Sequence, residues 1–179
     1  MSESVIFIDF FVRGIALDGK KKTPILLLQD RHERLLLPIW IGAAEAGAIY
    51  CALEGRTLSR PMTHDLIMGL CQTTGVRILG LDIRELNGGT FLAALRIEKQ
   101  DGTTSYMDCR PSDGIALALR AKAPIRVATP VLDAAQPIDK TDATDKGLPF
   151  VSCDDDRGLQ QLADQLAQME PDDFGEFEM

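Results

Sequence analysis

Gly42-Ala43-Ala44-Glu45-Ala46-Gly47-Ala48-Ile49-Tyr50-Cys51-Ala52-Leu53 and, further on, Pro111-Ser112-Asp113-Gly114-Ile115-Ala116-Leu117-Ala118-Leu119 are two helical stretches with almost no polar face. A helix in water that lacks a polar face must be buried on several sides. Alanine and glycine in both stretches let neighbouring backbones come close. The simplest arrangement with these properties places the helices between sheets, a layered β/α/β stack.

Strand-like segments surround the helices. Val5 to Leu17, Ile25 to Leu28 and Leu35 to Ile41 precede the first, separated by polar turns at Asp18-Gly19 with Lys20-Lys21-Lys22 and at Asp30 to Glu33. Gly42 opens the first helix and Gly55 follows its end, as a left-handed cap requires. A further helix is expected from an N-cap at Thr63 to Gly75. Val76 to Leu86 alternates, with Leu79, Leu81 and Ile83 on one face. Asn87-Gly88 signals a hairpin, and Phe91 to Ile97 returns. Asp101-Gly102 turns the chain into Ser105 to Cys109. Pro111 suits the first position of the second apolar helix, which ends before Pro124. Ile125 to Ala128 is a last short strand. Three strands and a helix therefore occur twice. Ile25 through Ile49 parallels Phe91 through Leu117, with Gly42 matching Arg110 and Glu45 matching Asp113. The expected class is α+β, built on a duplicated three-strand-plus-helix repeat.

Composition divides the chain. The net charge is −8 over 179 residues, but 12 acids and 3 bases fall from Gln136 onward, against 15 acids and 16 bases before it. Residues 1–135 read as the globular domain, 136–156 as an acidic linker, and 157–179 as a C-terminal helix and acidic tail. Leu159, Leu162, Ala163, Leu166 and Met169 form one apolar stripe of that helix. A near-neutral domain is a weak electrostatic footprint for nucleic acid. No apolar run reaches the ~20 residues of a membrane helix; the richest, Leu35 to Leu53, is broken by Pro38, Gly42 and Glu45. Met1 to Ser4 carries no basic region of a signal peptide, so a cytoplasmic setting is expected. Cys51, Cys71, Cys109 and Cys153 have no metal or disulfide spacing and are expected as reduced thiols, at least two of them buried. There is no P-loop, dinucleotide fingerprint or H-E-x-x-H motif, and one tryptophan with two tyrosines makes no evident base-stacking platform.

Three motifs carry a resemblance. Leu37-Pro38-Ile39-Trp40-Ile41-Gly42-Ala43-Ala44-Glu45-Ala46 resembles the I-P-I-x-I-G-x-x-E-A signature of the bifunctional nuclease (BFN) domain family. Arg60-Pro61-Met62-Thr63-His64-Asp65-Leu66 is similar to its R-P-x-T-H-D-L element. Cys109-Arg110-Pro111-Ser112-Asp113-Gly114-Ile115-Ala116-Leu117-Ala118 is similar to its A-R-P-S-D-A-I-A-L-A element, with Gly114 where alanine is usual. The close, Met169 to Phe174, also looks like that of many members. The resemblance implies the duplicated fold, often as a homodimer, in a family with plant members described as cutting DNA and RNA and many bacterial members of unknown role.

The candidate site residues are Glu45, His64, Asp65, Arg110 and Asp113. Glu45 and Asp113 each stand near the third position of a helix. A carboxylate there complements the helix dipole; equally, paired carboxylates can hold Mg2+ and activate water for phosphodiester cleavage. His64 can move a proton near neutral pH, whereas Asp65, adjacent on the helix, points about 100° away. Arg110 is either a clamp on phosphate or an ion-pair partner of Asp113 or Glu45. Ser112 lacks a nucleophile elbow and reads as a first-turn hydrogen bonder. Arg60 and the lysine run meet phosphate or simply face solvent. Two functions follow: a metal-assisted nuclease acting on DNA or RNA, or a non-catalytic binding or regulatory module that dimerises.

Overall fold

The two alanine-rich stretches are helices, and they pack on each other. In the computed structural model the described residues are 5–17, 23–135 and 138–139. The lysine run at 20–22, Cys153 and the stripe from Leu159 to Met169 lie outside them. The elements are β1 (Phe7–Leu17), β2 (Pro24–Asp30), β3 (Leu35–Trp40), α1 (Ala43–Leu53), α2 (Thr63–Thr74), β4 (Arg77–Asn87), β5 (Thr90–Glu98), β6 (Thr104–Cys109), α3 (Pro111–Ala121), β7 (Ile125–Ala128), α4 (Thr129–Ala135) and β8 (Ile138–Asp139). The class is α+β. Three antiparallel strands followed by a helix occur on either side of α2.

The strands form one continuous sheet in the order β6-β5-β4-β7-β1-β2-β3-β8. The separate sheets expected from the buried helices are therefore two halves of one sheet. β7 joins them, antiparallel to β1 and parallel to β4. α1 packs on β2, α3 on β4 and β5, and α2 on α3 and β4. At the join, Asp82 of β4 is fully buried and accepts two hydrogen bonds from its register partner Arg126 of β7, both 2.8 Å. Breaking such a buried pair by removing one partner costs about 3–5 kcal/mol. It is one polar tie at the join, and Arg96 of β5 also lies 3.8 Å from Asp82.

Local departures have physical causes. The extra residue at Leu79 is a bulge between Ile78 and Gly80. It takes Leu79 out of the core face and leaves Ile78, Leu81 and Ile83 packed in the core. The β4–β5 turn residues are Gly88 and Gly89, with φ of +56° and +85°, flanked by the paired Asn87 and Thr90. Both positions need the left-handed region, which glycine enters freely. At the β2–β3 turn, buried Asp30 accepts the backbone N–H groups of His32, Arg34 and Leu35. The three cysteines among the described residues are free and half-buried rather than fully buried.

Candidate functional site

Each of the three longer helices carries an acid at its third residue: Glu45 in α1, Asp65 in α2 and Asp113 in α3. What each acid meets depends on the residue opposite its helix start. In α1 the N-cap is Gly42, and a Cβ there would lie 2.3 Å from Glu45 Oε2. The glycine leaves room for the carboxylate to fold back. In α3 the equivalent N-cap is Arg110, and its guanidinium joins the two repeats. Nη1 lies 2.8 Å from Glu45 Oε1. Nε donates to Asp113 Oδ2 at 2.7 Å and Nη2 to Asp113 Oδ1 at 3.2 Å. His64, buried on α2, places Nε2 3.2 Å from the same Asp113 oxygen. A carboxylate only accepts, so this contact calls for the proton on Nε2 and leaves the lone pair on Nδ1.

Glu45, His64, Arg110 and Asp113 thus form one connected cluster. It borders an apolar cavity of about 830 Å³ between α2, α3 and the β4–β6 strands, lined by side chains such as Ile67, Leu70, Ile78, Leu95, Ile97 and Met107. Burial on its own would raise the Asp113 carboxyl. The hydrogen bond and charge of Arg110, then the hydrogen bond of His64, outweigh that and hold it below the ordinary carboxylate value. The Arg110 guanidinium is raised in turn, chiefly by its hydrogen bond to Asp113. Burial pushes the Cys109 thiol, also on the cavity wall, up to about 11, with Asp108 and Asp113 adding to the effect and a backbone hydrogen bond from Leu95 opposing it. At neutral pH it is a thiol, unsuited to nucleophilic work.

Asp65 stands apart from this cluster. Its Oδ2 accepts the Met62 N–H at 2.9 Å and its Oδ1 accepts Arg120 Nε at 2.7 Å. Met62, not Thr63, is the N-cap of α2. Arg120 also donates to the carbonyls of Ala48 and Ala116, so one cation ties α1, α2 and α3 together. The sequence signal for it was available: a lone arginine in an apolar helix needs a partner. Arg60 is exposed in the loop before α2 and does not line the cavity. Ser112 is buried in the first turn of α3.

The metal expectation meets an obstacle in the donor set. The guanidinium of Arg110 bridges Glu45 and Asp113, already engaging both carboxylates. Among the described residues no group of three or more His, Cys, Asp or Glu side chains is placed to hold an ion. Magnesium is commonly held by one or two carboxylates and several waters, and here it would have to displace the guanidinium that Glu45 and Asp113 already bind. The chemistry these residues offer as they stand is proton transfer and anion binding. No helix among the described residues is long and apolar enough to cross a membrane.

Fold and site together define a class: an α+β domain whose buried helices bring an imidazole, a guanidinium and two carboxylates to the edge of a cavity. The chain belongs to the bifunctional nuclease domain family, whose model matches residues 26–139. It is 34% identical over 163 residues to the uncharacterized protein Rv1829 of Mycobacterium tuberculosis, covering 91% of this chain and 95% of that one. It is 27% identical over 112 residues to Bifunctional nuclease 1 of Oryza sativa subsp. japonica and to Bifunctional nuclease of Oryza minuta, covering 62% of this chain and 34% of each of those proteins.

Proposed function

We propose that the domain is a nuclease that hydrolyses phosphodiester bonds in DNA or RNA at the His64–Asp113–Arg110–Glu45 cluster. The observation that carries this reading is the shared Asp113 carboxylate, held by Arg110 and in contact with His64 Nε2. Asp113 fixes the ring, so that Nδ1 can take a proton from an attacking water. Arg110 is 58% exposed, and its free N–H groups bind the phosphate and stabilise the charge that develops in the transition state. Glu45 holds the guanidinium in place. The name borne by the rice relatives supports the reaction class.

Removal of a general base typically lowers a rate about 10²–10⁴-fold. Glu45→Ala/His64→Ala protein with an unchanged circular dichroism spectrum should lose activity on single- and double-stranded substrates by that order, compared with wild type. The assay is run with magnesium and with chelator, which separates a metal-dependent nuclease from a metal-independent one. If the folded double variant degrades nucleic acid as fast as wild type, the activity is a contaminant and the reading falls.

A second reading, a non-catalytic binding or regulatory module that dimerises, draws on a different observation. Leu66 and Leu70 of α2 and Met107 of β6 are all more than half exposed. Inactive wild-type protein with the mass of a homodimer in light scattering would favour it.

A further inference from the structure

Glu45 and Arg110 line a second pocket as well, of about 360 Å³. Its other walls are Trp40 at the end of β3, Phe91 and Thr90 at the start of β5, and Ser112 in the first turn of α3. Trp40 is the only tryptophan in the chain, and it is 58% exposed while its neighbours Ile39 and Ile41 are buried. A large aromatic face left in water beside a cationic group is a surface that a planar ligand would cover. The two aromatic walls come from different halves of the sheet, Trp40 from one and Phe91 from the other, with Arg110 between the repeats.

The charge at this place sharpens the identity of the ligand. With His64 neutral, Glu45, Asp113 and Arg110 sum to one negative charge. Such a cluster is a poor magnet for a polyanion, so most of the affinity must come from elsewhere. Arg110 still has donors to give. A guanidinium has five N–H groups; the contacts with Glu45 and Asp113 engage three, leaving two for one phosphate. Stacking supplies what charge does not. We propose that this pocket is a nucleobase subsite: an unpaired base of a single-stranded nucleic acid stacks on Trp40 beside Phe91, while its own phosphate is held by Arg110. The inference rests on the phosphodiesterase reading and names its substrate class.

Two selectivities follow. A base inside a duplex is already stacked on its neighbours, so only an unpaired or extruded base reaches Trp40. Apart from the ion pair, the pocket's side-chain hydrogen-bonding groups are the hydroxyls of Thr90 and Ser112 and the indole N–H of Trp40. They are too few to read a base edge, so base preference is weak, as expected where stacking dominates.

Being unique, Trp40 reports on its own site by fluorescence. Full-length wild type is titrated with a single-stranded octanucleotide, with a duplex of the same sequence, and with an abasic octamer that keeps the phosphates. The single strand should quench or shift the emission; the duplex and the abasic strand should not. By anisotropy of a labelled octanucleotide, Trp40→Ala should bind about ten-fold or more weakly, and Trp40→Phe should recover most of that loss. Log affinity should fall against log salt with a slope of about −0.7, the value for one phosphate contact on a single strand. Equal quenching by the abasic strand, or unchanged binding by folded Trp40→Ala, overturns the subsite. If that protein also cleaves single strands with wild-type kcat/KM, the nuclease reading survives the loss of the subsite. Base-dependent quenching without cleavage leaves the subsite standing and sinks the nuclease reading. No binding and no cleavage removes both.

Discussion

Gly114 stands where the family element has alanine, and Cys109, five residues earlier, also stands on an alanine of that element. The structure links the two exchanges. A Cβ on Gly114 would lie 2.4 Å from Leu81 Cδ1 and 3.0 Å from Cys109 Sγ. Leu81 is fully buried, so it has little room to move. The larger side chain at 109 occupies space that the smaller one at 114 gives up. Gly114→Ala should therefore overpack the core and destabilise by about 1–3 kcal/mol. Cys109→Ala introduced with it should recover part of that loss, because the Sγ is removed while the clash with Leu81 remains. Urea unfolding of the two single variants and the double variant reads the coupling. Costs that simply add would show that the two exchanges are independent.

At the scale of elements, helix ends were legible wherever one residue type answers one backbone need. Gly75 caps α2 with φ of +69°, and Pro111 opens α3. The N-cap of α2 falls at Met62, one residue before the cap expected at Thr63, because the cap works from inside the helix: Asp65 reaches back to Met62. The bulge at Leu79 left no mark in an otherwise alternating strand. α4 begins at Thr129-Pro130, an N-terminal proline signal that was present but followed too closely on a strand to be separated from it. The Asp65–Arg120 pair makes a pH prediction. Arg120's hydrogen bond, followed by the Met62 N–H, holds Asp65 below its ordinary value in the folded state. A folded pKa below the unfolded one gives stability that is present above about pH 4 and lost as pH falls through the folded value. Arg120→Met should cost about 1.5–3 kcal/mol at neutral pH, the range for hydrogen bonds to charged groups. The variant should also lose less further stability than wild type between about pH 7 and about pH 3. Denaturant midpoints at both pH values test this; parallel losses in the two proteins would show that Asp65 does not draw its acid sensitivity from Arg120.

For the whole molecule, periodicity revealed two apolar helices and their strands but not how the strands close. A four-residue strand that runs parallel to one half of the sheet and antiparallel to the other, as β7 does, has no signature of its own. The sequence offers Arg110 as an ion-pair partner of Asp113 or Glu45, and it pairs with both; that it spans them at once depends on α1 and α3 packing together. One tryptophan is too few to signal a stacking platform in the sequence, and its exposure in the same pocket as Arg110 depends on the fold. Charge, by contrast, is legible in the sequence alone. β8 pairs with β3 at Leu35 and Leu36, so the cut that spares the sheet falls after Asp139 and not at the end of α4. Residues 140–179 carry 11 acids and 3 bases, and removing them leaves a domain with no formal net charge. The tail's field reaches ~30 Å at 0.01 M salt but only ~8 Å at 0.15 M. The shortened protein should therefore bind a single strand more tightly than the full chain at low salt, and the difference should vanish near physiological salt. Anisotropy titrations of both proteins across that range check it. An affinity that does not change on truncation at low salt would mean that the acidic segment exerts no electrostatic effect on the site.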